Sequence, residues 1–459
     1  MTVSQKSPYQ QALDYLYSFV DYSVQRMSRE TLDKFDLSRM QAFMAALGDP
    51  QKQYSIIHVA GTKGKGSTAA LCASTLQAAG LRTGFYTSPH LQEFTERIQI
   101  DGAPIAPETL VSLIEEMKPV VASIPYLTTF EITTALAFCY FARQKAEAAV
   151  IEVGLGGRLD ATNVVVPCVS VITSISYDHV AVLGETLSQI AAEKCGIIKH
   201  GVPVVTSPQK DEALAVIARM AAERQAPLVK VGSDWRYALR EHTLDGQSFW
   251  IWAADDQPAV NTYIESDGQA GHAPRQLTIP LLGYHQIENA ATAYAALQTG
   301  RLAGLPLTDE SIQSGFASVV WPGRFEVLQR EPPVVVDSAH NRDSALKLRL
   351  ALGDYFLERP VVLLFGASAD KDVRGMFAEL LPRVRRVIAT ESFHPRAMSA
   401  SELVDMAHQF ACPAKVVTPV EDALREALRL AEQEGAMVLA TGSLFIAAAV
   451  REVWRRYER

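Results

Sequence analysis

The sequence predicts an α/β protein with a larger N-terminal domain on a parallel sheet and a smaller, Rossmann-like C-terminal domain. Two observations predict this class. Short apolar, β-branched runs alternate with helical stretches from residue 54 to about residue 205, and the alternation restarts after residue 324. Continuous apolar strands separated by helices are typical of parallel sheets covered on both faces. The chain of 459 residues is long enough for two or three such domains.

The first 50 residues predict two helices, because apolar residues recur in them at helical spacing. The second helix is expected to begin at the capping box Ser38-x-x-Gln41. A later helix is expected to begin at Thr186, which forms a capping box with Gln189, and to end at Gly196. The strands predicted for the first sheet cover residues 56–60, 83–86, 148–153, 170–174 and 202–205.

Residues 235–280 differ in character from the preceding sequence. They are rich in Gly, Asp, Gln and Thr and predict β-strands with loops at the edge of the first domain. A helix is expected from residue 287 to about 303, and the segment Trp321-Pro322-Gly323-Arg324 marks a domain boundary. The strands predicted for the second sheet cover residues 334–337, 361–365, 386–389, 415–417 and 437–441. We therefore expect domains at 1–305 and 324–459, joined by a linker at 306–323.

Composition excludes several classes of protein. The net charge of -8 disfavours binding to nucleic acid or anionic membranes. No apolar run approaches the ~20 residues that a membrane span needs, and the polar N-terminus lacks a signal-peptide core. The five cysteines form no CxxC pair, which indicates reduced thiols rather than disulfides or zinc ligands. These features predict a cytoplasmic protein with neither nucleic-acid nor membrane partners.

The segment Gly61-Thr62-Lys63-Gly64-Lys65-Gly66-Ser67 lies between a predicted strand and an alanine-rich helical stretch. Glycines let backbone N–H groups converge on an anion, the helix N-terminus adds partial positive charge, and Lys65 adds a full charge. The pattern differs from a plain Walker A motif, since Gly66 separates Lys65 from Ser67. An ordinary strand–helix turn is the alternative, which the clustered Gly, Lys and Ser disfavour. The first domain is thus predicted to be a P-loop, ATPase-type domain that binds a nucleoside triphosphate.

Three further residues are candidates for such a site. Glu152 ends an otherwise apolar strand and could hold Mg²⁺, or it could point to solvent. His179 follows a neighbouring strand, and its position leaves a metal ligand and a structural histidine about equally supported. Lys194 lies on the helix that begins at Thr186, and the residues alone favour a solvated lysine that interacts with the helix dipole.

Two residues near the start of the second domain are candidates for nucleotide contacts. Arg324 follows a Pro-Gly turn and could reach a phosphate or form an interdomain salt bridge. Asp337 ends the first strand of the second domain and could accept hydrogen bonds from ribose hydroxyls, or it could cap a helix.

Many further motifs occur in order along nearly the whole chain. They are Asp21-Tyr22-Ser23, HVAGTKGKGS, Thr87-Ser88-Pro89-His90-Leu91, Glu96-Arg97-Ile98, Phe130-Glu131, EVGLGGRLDATN, Asp178-His179, Glu193-Lys194-x-Gly196, His285-Gln286-x-x-Asn289-Ala290, WPGR, DSAHN, Asp370-Lys371-Asp372 and Thr441-Gly442-Ser443. This series resembles the folylpolyglutamate synthase/dihydrofolate synthase family of the Mur ligase superfamily.

The resemblance implies ATP-dependent ligation of L-glutamate to a folate or dihydropteroate carboxylate through an acyl phosphate. It implies ATP and Mg²⁺ as cofactors, admits a monovalent cation such as K⁺, and implies a monomer with small-molecule partners only. The alternatives are a Mur-type ligase for another acid, a P-loop kinase, and a non-catalytic nucleotide switch. The Asp-Tyr-Ser and Leu-Asp-Ala-Thr-Asn segments favour the pteroyl branch.

The resemblance also implies roles for individual residues. The catalytic residues would be Lys65, His179, Lys194 as a carbamate, and Arg324. The phosphates would contact Gly61, Thr62, Lys63, Gly64, Lys65, Gly66, Ser67 and Arg324. Adenine would contact Asn289, ribose Asp337, and Mg²⁺ Ser88, Glu152 and His179. The pteroyl group would lie near Asp21, Tyr22, Ser23, Thr128, Thr129, Phe130, Glu131, Leu159, Asp160 and Ala161. Glutamate would contact Arg97, His340 and Ser443.

Two residues depart from the family pattern. Ser338 replaces the usual glycine of DGAHN, so the backbone there is expected to differ. Lys63 stands where many bacterial members carry Asn, and it adds a charge near the phosphates.

Overall fold

The computed structural model describes residues 6–21 and 36–457. The chain divides into two compact units. The first unit comprises Met1–Ala238, Phe249–Thr278 and Glu288–Val319, and the second comprises Leu239–Ser248, Ile279–Ile287 and Val320–Arg459. The main break after Val319 falls beside the predicted Pro-Gly boundary. Two short segments expected in the first domain, residues 239–248 and 279–287, group with the second unit instead.

The first unit contains an eight-stranded sheet with the order β4-β3-β2-β5-β1-β6-β7-β8. Strands β3 and β4 at one edge are antiparallel, and the other six strands are parallel. The strands are β1 (Ser55–Ala60), β2 (Thr83–Tyr86), β3 (Ile98–Ile100), β4 (Ala103–Pro104), β5 (Ala148–Glu152), β6 (Val169–Ile172), β7 (Val204–Thr206) and β8 (Leu228–Lys230). All five strands predicted for the first sheet are present.

Helices cover this sheet. Its central strands β1 and β5 consist mainly of apolar residues and are therefore buried. The helices are α1 (Pro8–Tyr17), α2 (Leu37–Ala46), α3 (Lys65–Ala78), α4 (Pro107–Ser123), α5 (Thr129–Arg143), α6 (Val180–Leu183), α7 (Leu187–Cys195) and α8 (Asp211–Glu223). One apolar core joins α1, α2, α4 and α5 to the sheet, and another joins α7 and α8 to it.

Two predicted helix starts can be compared with the structure. Helix α7 begins after Thr186, which forms the expected capping box with Gln189. The expected capping box at Ser38 is wrong, because α2 already begins at Leu37. Its N-cap is Asp36, whose side chain accepts a hydrogen bond from the backbone N–H of Ser38. An aspartate two residues earlier thus takes the capping position.

A three-stranded sheet with the order β11-β10-β9 occupies the segment predicted to be β-rich. Its strands are β9 (Trp235–Thr243), β10 (Gly246–Ala253) and β11 (Arg275–Ile279). Helix α9 (Gln257–Glu265) was not predicted; it is nine residues long, and Val260 is its only buried residue.

Helices α10 (Tyr284–Leu302) and α11 (Asp309–Ser318) follow this sheet. Helix α10 lies where a helix was predicted. Helix α11 lies within residues 306–323, which were expected to be a linker, and begins after a capping box at Thr308. The backbone of α11 at Gly315 lies so close to α3 that an added Cβ would stand 2.4 Å from Cα of Thr75. Helix α3 is therefore buried nearly all round, between the sheet and α11.

The second unit contains a six-stranded sheet with the order β12-β13-β17-β14-β15-β16, in which only β12 is antiparallel to its neighbour. The strands are β12 (Glu326–Arg330), β13 (Pro333–Val336), β14 (Val361–Phe365), β15 (Val384–Ala389), β16 (Ala414–Val416) and β17 (Met437–Thr441). The helices are α12 (Arg342–Tyr355), α13 (Val373–Leu380), α14 (Ala400–Gln409), α15 (Val420–Glu434) and α16 (Leu444–Tyr457). The five predicted strands and the Rossmann-like class are confirmed. In the described part of the chain, no helix has the length and apolarity needed to cross a membrane.

Candidate functional site

Four neighbouring strands bring the predicted site residues of the first unit to one edge of the sheet. The order β2-β5-β1-β6 places Thr87, Glu152, the loop 61–67 and the segment 173–179 after adjacent strands. The register pairs Val59 with Glu152. Because ligands of parallel sheets bind beyond the carboxyl ends of the strands, this edge is the expected place for a site.

The loop 61–67 lies so close to its supports that only glycine fits at two positions. Gly61 has φ 152° and Gly64 has φ 85°. A Cβ on Gly61 would stand 1.8 Å from Oγ1 of Thr173, and one on Gly64 would stand 2.1 Å from Oδ1 of Asn289. Asn289, predicted to contact adenine, thus lies directly against the loop.

The loop leads into α3, whose first residue is Lys65. The N-cap residue Gly64 has no side chain to satisfy the first N–H groups, which also lack partners within the helix. A helix start of this kind binds phosphate through its N–H groups and its dipole. The chain therefore offers a cradle that fits the triphosphate of ATP.

Glu152 points into this cradle rather than to solvent. Glu152 is 5% exposed, and its Oε1 lies 4.0 Å from Nζ of Lys65. The hydroxyl of Thr87 donates a short hydrogen bond to Oε2. The solvent-facing alternative for Glu152 is therefore wrong, and a buried carboxylate faces the cation of the phosphate loop.

The segment that carries His179 lies along the phosphate loop. The backbone N–H groups of Thr62 and Lys63 both donate to the carbonyl oxygen of Ser174, at 2.9 and 3.0 Å. Nζ of Lys63 lies 2.9 Å from Oδ2 of Asp178. His179 follows with a left-handed backbone, φ 49°. It is the N-cap residue of α6, and its imidazole is half-exposed.

Lys194 is buried beside the phosphate loop. The residue is 4% exposed, and Nζ donates a hydrogen bond to the carbonyl oxygen of Gly61 at 2.8 Å. Burial, reinforced by the nearby charge of Lys65, lowers the pKa of Lys194 from 10.5 to about 7. The interpretation of Lys194 as a solvated lysine is therefore wrong: it is a buried amine, of which about half is uncharged near neutral pH.

Two glycines hold the helix of Lys194 against the loop that follows Glu152. A Cβ on Gly157 would stand 2.7 Å from the carbonyl oxygen of Lys194, and one on Gly196 would stand 2.3 Å from Cα of Arg158. The backbone N–H of Arg158 donates to the carbonyl oxygen of Glu193 at 2.8 Å. The backbone of the loop after β5 therefore packs directly on the backbone at the end of α7, which fixes the position of Lys194 relative to that loop.

The residues at this edge fit a magnesium ion chemically. Mg²⁺ prefers oxygen ligands and keeps several waters, and Glu152 and the half-buried Ser88 supply carboxylate and hydroxyl oxygens. Among residues 6–21 and 36–457, no group of three or more His, Cys, Asp or Glu side chains is arranged to hold a metal. The predicted set contains only two such residues, Glu152 and His179, and it stays a prediction.

Helix α5 carries four of the predicted pteroyl contacts at its start. Thr128 caps the helix and forms a capping box with Glu131. The carboxylate of Glu131 also accepts two hydrogen bonds from Arg39, at 2.9 and 3.1 Å. Thr129 donates through Oγ1 to the carbonyl oxygen of Leu16 at 2.9 Å. The structure thus gives Glu131 and Thr129 architectural partners.

The remaining pteroyl candidates fall into two groups. Asp160 is buried, and its carboxylate accepts hydrogen bonds from the backbone N–H of Leu155 at 2.8 Å and of Thr162 at 3.0 Å. Burial raises the pKa of Asp160. Its neighbours Leu159 and Ala161 flank this turn. Phe130 packs against the loop after β5, as a Cβ on Gly154 would stand 2.4 Å from its ring. Asp21 ends the first described segment, and Tyr22 and Ser23 lie outside the described residues.

Arg97, a predicted glutamate contact, is held by a histidine. Its Nε donates to Nδ1 of His90 at 2.8 Å, and the guanidinium lies 5.4 Å from the ring centre of Phe94. Burial, together with the charge of Arg97, lowers the pKa of His90 to about 3. A neutral imidazole can accept this hydrogen bond, so Arg97 is an anchored cation rather than a free surface charge.

Three predicted residues of the second unit, Asp337, His340 and Ser443, lie after β13 and β17, which are neighbours in its sheet, and Arg324 precedes β12. Asp337 accepts hydrogen bonds from the backbone N–H of Phe325 at 2.8 Å and of Ala339 at 2.7 Å. The N-cap of α12 is Asn341, so the capping alternative for Asp337 is wrong. Burial raises the pKa of Asp337, although the charge of Arg324 opposes this shift.

Arg324 and the two glutamate candidates of this unit have local contacts. Nη1 of Arg324 donates to the hydroxyl of Ser338, the residue that departs from the family pattern. Nδ1 of His340 lies 3.0 Å from the carbonyl oxygen of Ser338. Oγ of Ser443 accepts a hydrogen bond from the backbone N–H of Ile446 at 3.2 Å. Ser443 therefore caps α16, which leaves its hydroxyl proton to donate elsewhere.

Sequence reasoning missed three residues that hold the candidate site together: Arg39, His90 and Asp178. Each of the three contacts a predicted site residue: Arg39 contacts Glu131, His90 contacts Arg97, and Asp178 contacts Lys63. The signal that was present for Asp178 and His90 was their place inside motifs already singled out. Arg39 gave no signal, since its partner Glu131 lies 92 positions away.

Comparisons with known proteins agree with this arrangement. Residues 59–297 match the Mur ligase middle domain, and residues 323–444 match the Mur ligase glutamate ligase domain. The dihydrofolate synthase/folylpolyglutamate synthase of Bacillus subtilis (strain 168) is 36% identical over 424 residues, which cover 91% of this chain and 94% of the relative.

Two solved structures have a similar fold. The Mycobacterium tuberculosis folylpolyglutamate synthase complexed with ADP has a TM-score of 0.85 and 32% identity, covering 97% of this chain and 98% of that chain. The E. coli FolC in complex with DHPP and ADP has a TM-score of 0.82 and 30% identity, covering 99% of each chain.

Proposed function

Because the chain belongs to the folylpolyglutamate synthase/dihydrofolate synthase family of Mur ligases, we propose that it joins L-glutamate to the carboxylate of a folate or dihydropteroate, using ATP. One observation carries this proposal. Lys194 is buried with Nζ 2.8 Å from the carbonyl oxygen of Gly61, so an amine whose pKa is lowered to about 7 lies at the first residue of a phosphate loop. A simple nucleotide switch has no need of that amine.

The proposed reaction has two steps. A carboxylate oxygen of the pteroyl substrate attacks the γ-phosphorus of ATP, the bond to the β-phosphate oxygen breaks, and ADP leaves. The α-amine of glutamate then attacks the acyl-phosphate carbon, inorganic phosphate leaves, and the amine loses a proton to form the amide. The main task of the protein is to position the reactants and neutralise charge on the transferring phosphoryl group.

Residues of the first unit would perform this task. The N-terminus of α3 and Lys65 would hold the phosphates of ATP through N–H groups and one cation. Mg²⁺ held by Ser88, Glu152 and His179 would supply further charge neutralisation on phosphate oxygens. Lys65 stands within 4.0 Å of Glu152, so cation, carboxylate and phosphate loop share one small volume.

We further propose that Lys194 is a carbamate in the active protein. The neutral amine attacks dissolved CO₂, an N–C bond forms, and the nitrogen loses a proton to solvent. The carbamate carries a negative charge, whereas the free amine is either neutral or positively charged. A pKa of about 7 supports this step, since the protonated amine has no lone pair with which to react.

The other predicted residues would bind the substrates. In the second unit, Arg324 would contact phosphates and Asp337 the ribose, and His340 and Ser443 would contact glutamate. In the first unit, Asn289 would contact adenine and Arg97 glutamate. The pteroyl group would lie near Asp21, Tyr22, Ser23, Thr128, Thr129, Phe130, Glu131, Leu159, Asp160 and Ala161.

We also infer that the protein acts as a cytoplasmic monomer on small molecules alone. All five cysteines are free, and Cys72 and Cys195 are fully buried, which suits a reducing compartment. Size-exclusion chromatography with light scattering at micromolar concentration should give one chain mass. A dimer mass at that concentration would contradict the monomer.

The test of the proposed function is an acceptor comparison. The protein is incubated with ATP, Mg²⁺ and labelled glutamate, and with either dihydropteroate or tetrahydrofolate. We expect ADP release and glutamate incorporation with at least one acceptor, and no incorporation by Lys65→Ala with its fold intact. Absence of incorporation with every pteroyl acceptor would overturn the proposal, and the two acceptors separate dihydrofolate synthase from folylpolyglutamate synthase activity.

A further inference from the structure

The phosphate loop and the segment that carries His179 are joined by a series of contacts. The backbone N–H groups of Thr62 and Lys63 donate to the carbonyl oxygen of Ser174, and the hydroxyl of Thr62 donates to the carbonyl oxygen of Ser176 at 3.2 Å. These contacts hold the loop against residues 174 and 176, which precede His179 in the chain. The last of them joins two charged side chains, Lys63 and Asp178.

The ion pair between Lys63 and Asp178 is largely shielded from water. Nζ of Lys63 lies 2.9 Å from Oδ2 of Asp178, and the two side chains are 13% and 11% exposed. Most surface ion pairs are weakened by solvent and salt. A shielded pair at hydrogen-bond distance holds its two chain segments more firmly, since loss of one partner leaves the other charge uncompensated.

The second oxygen of Asp178 acts on the next residue. Oδ1 accepts a hydrogen bond from the backbone N–H of His179 at 3.0 Å. His179 has φ 49° and ψ 38°, a left-handed conformation that residues with a Cβ seldom adopt. A conformation of this kind persists where its surroundings hold it in place. Asp178 therefore links the ammonium of Lys63 to the backbone that aims the imidazole of His179.

We propose that Lys63 and Asp178 form a positioning pair that sets the imidazole of His179 relative to the phosphate loop. Lys63 acts through Asp178, while Lys65 remains the lysine of the loop that faces Glu152. Through this pair, the position of His179, a proposed metal ligand, depends on the loop 61–67, which is proposed to hold the phosphates. This inference rests on the proposed function, because it assigns His179 to the metal–nucleotide site.

The experiment measures Mn²⁺ binding without catalysis. Mn²⁺ is titrated into the full chain with a non-hydrolysable ATP analogue, and free Mn²⁺ is followed by electron paramagnetic resonance. The variants are Lys63→Met, Asp178→Asn, the double variant and Lys63→Arg. The matched control is Lys52→Met, which removes a lysine from the exposed ion pair between Lys52 and Asp49, 2.7 Å long. Thermal unfolding of each variant reports whether it folds.

We expect both single variants to bind Mn²⁺ about 10-fold to 100-fold more weakly, the range for partners that orient a metal ligand. The double variant should be no weaker than the worse single variant, because both changes break the same link. Lys63→Arg should restore most of the affinity, and Lys52→Met should match the wild type. In the ligase assay, the single variants should lower kcat more than they raise KM for glutamate.

Three outcomes would overturn the pairing. The first is that Lys63→Met binds Mn²⁺ as tightly as the wild type. The second is that the losses of Mn²⁺ affinity in the two single variants add in the double variant. The third is that Lys63→Arg folds but binds Mn²⁺ as weakly as Lys63→Met. The Mn²⁺ titration needs no turnover. A wild-type chain that binds Mn²⁺ and the analogue but ligates no glutamate would therefore count against the proposed function and leave the pairing to be decided by the variants.

Discussion

Nζ of Lys194 donates a hydrogen bond to the carbonyl oxygen of Gly61, the residue at which strand β1 becomes the phosphate loop. This contact joins two parts of the chain that are 133 positions apart. It places a buried amine at the start of the phosphate loop.

Replacement of Lys194 by alanine should lower kcat at least about 100-fold, since a group that positions the transferring phosphoryl group is lost. Small carboxylates such as formate, which can fill the vacated space with a negative charge, should restore part of the activity. Steady-state glutamate incorporation measures both effects. Lys210→Ala, which removes an exposed lysine, is the control and should retain wild-type activity. Near-normal activity of Lys194→Ala would contradict the carbamate.

The carbamate also predicts the direction of a pH effect. Burial disfavours the cation, so the pKa of Lys194 is lowered to about 7, and the amine is neutral above that pH and protonated below it. At fixed dissolved CO₂, the rate at which CO₂-depleted enzyme regains activity should fall about tenfold per pH unit below 7. Reactivation is followed from pH 5.5 to 8 after addition of CO₂. A rate that does not change with pH in this range would be inconsistent with attack by the neutral amine.

The ion pair between Arg39 and Glu131 should contribute strongly to stability. Arg39 is half-buried and donates two hydrogen bonds to a buried carboxylate. Arg39→Met leaves Glu131 without its cation and should lower the free energy of unfolding by about 3 kcal/mol. Urea unfolding measures this loss. The control Arg143→Met breaks a pair with Glu116 in which both side chains are half-exposed, and it should cost less than about 1 kcal/mol. Equal losses would show that burial of the first pair adds nothing.

Replacement of Gly64 by alanine should strongly weaken nucleotide binding. Its Cβ would stand 2.1 Å from Oδ1 of Asn289, so the Asn289 amide must leave its place against the loop, and the φ of 85° disfavours any residue with a Cβ. Gly80 provides a matched control, since its φ of 80° is close to the 85° of Gly64 and no atom lies within 4 Å of an added Cβ. Calorimetric titration with ADP should show at least 100-fold weaker binding for Gly64→Ala, by the general cost of misplaced contacts. Gly80→Ala should bind ADP normally and lose about 1 kcal/mol of stability. Normal binding by Gly64→Ala would refute the close fit.

The sequence predicts those features of the fold that depend on neighbours in the chain. The strand β1, the loop 61–67 and the start of α3 form one continuous pattern, and the structure has them in that order. Glu152 could be singled out because a charged residue ended an apolar strand. The parallel direction of the strands follows from the alternation of strands and helices, whereas the order that places β5 beside β1 does not.

Features that depend on contacts between distant segments could not be predicted in this way. The capping pattern of α7 locates Lys194 on a helix but does not tell which side of the helix is buried. The approach of Gly157 to the backbone of Lys194 decides that question. The partners Arg39 and Glu131 lie in separate helices, so no local pattern joins them. Helix α9 was missed because it is nine residues long and lies in a segment whose composition predicted β-strands and loops.

The contacts of Gly157 and Gly196 have a consequence for protein engineering. Since these two residues allow main chain to touch main chain, the turn after β5 and the end of α7 behave as a single rigid part. A designer who transplants Lys194 to another scaffold would have to move both segments together, with neither glycine replaced. Transfer of the helix alone would carry the side chain without the surface that sets its depth.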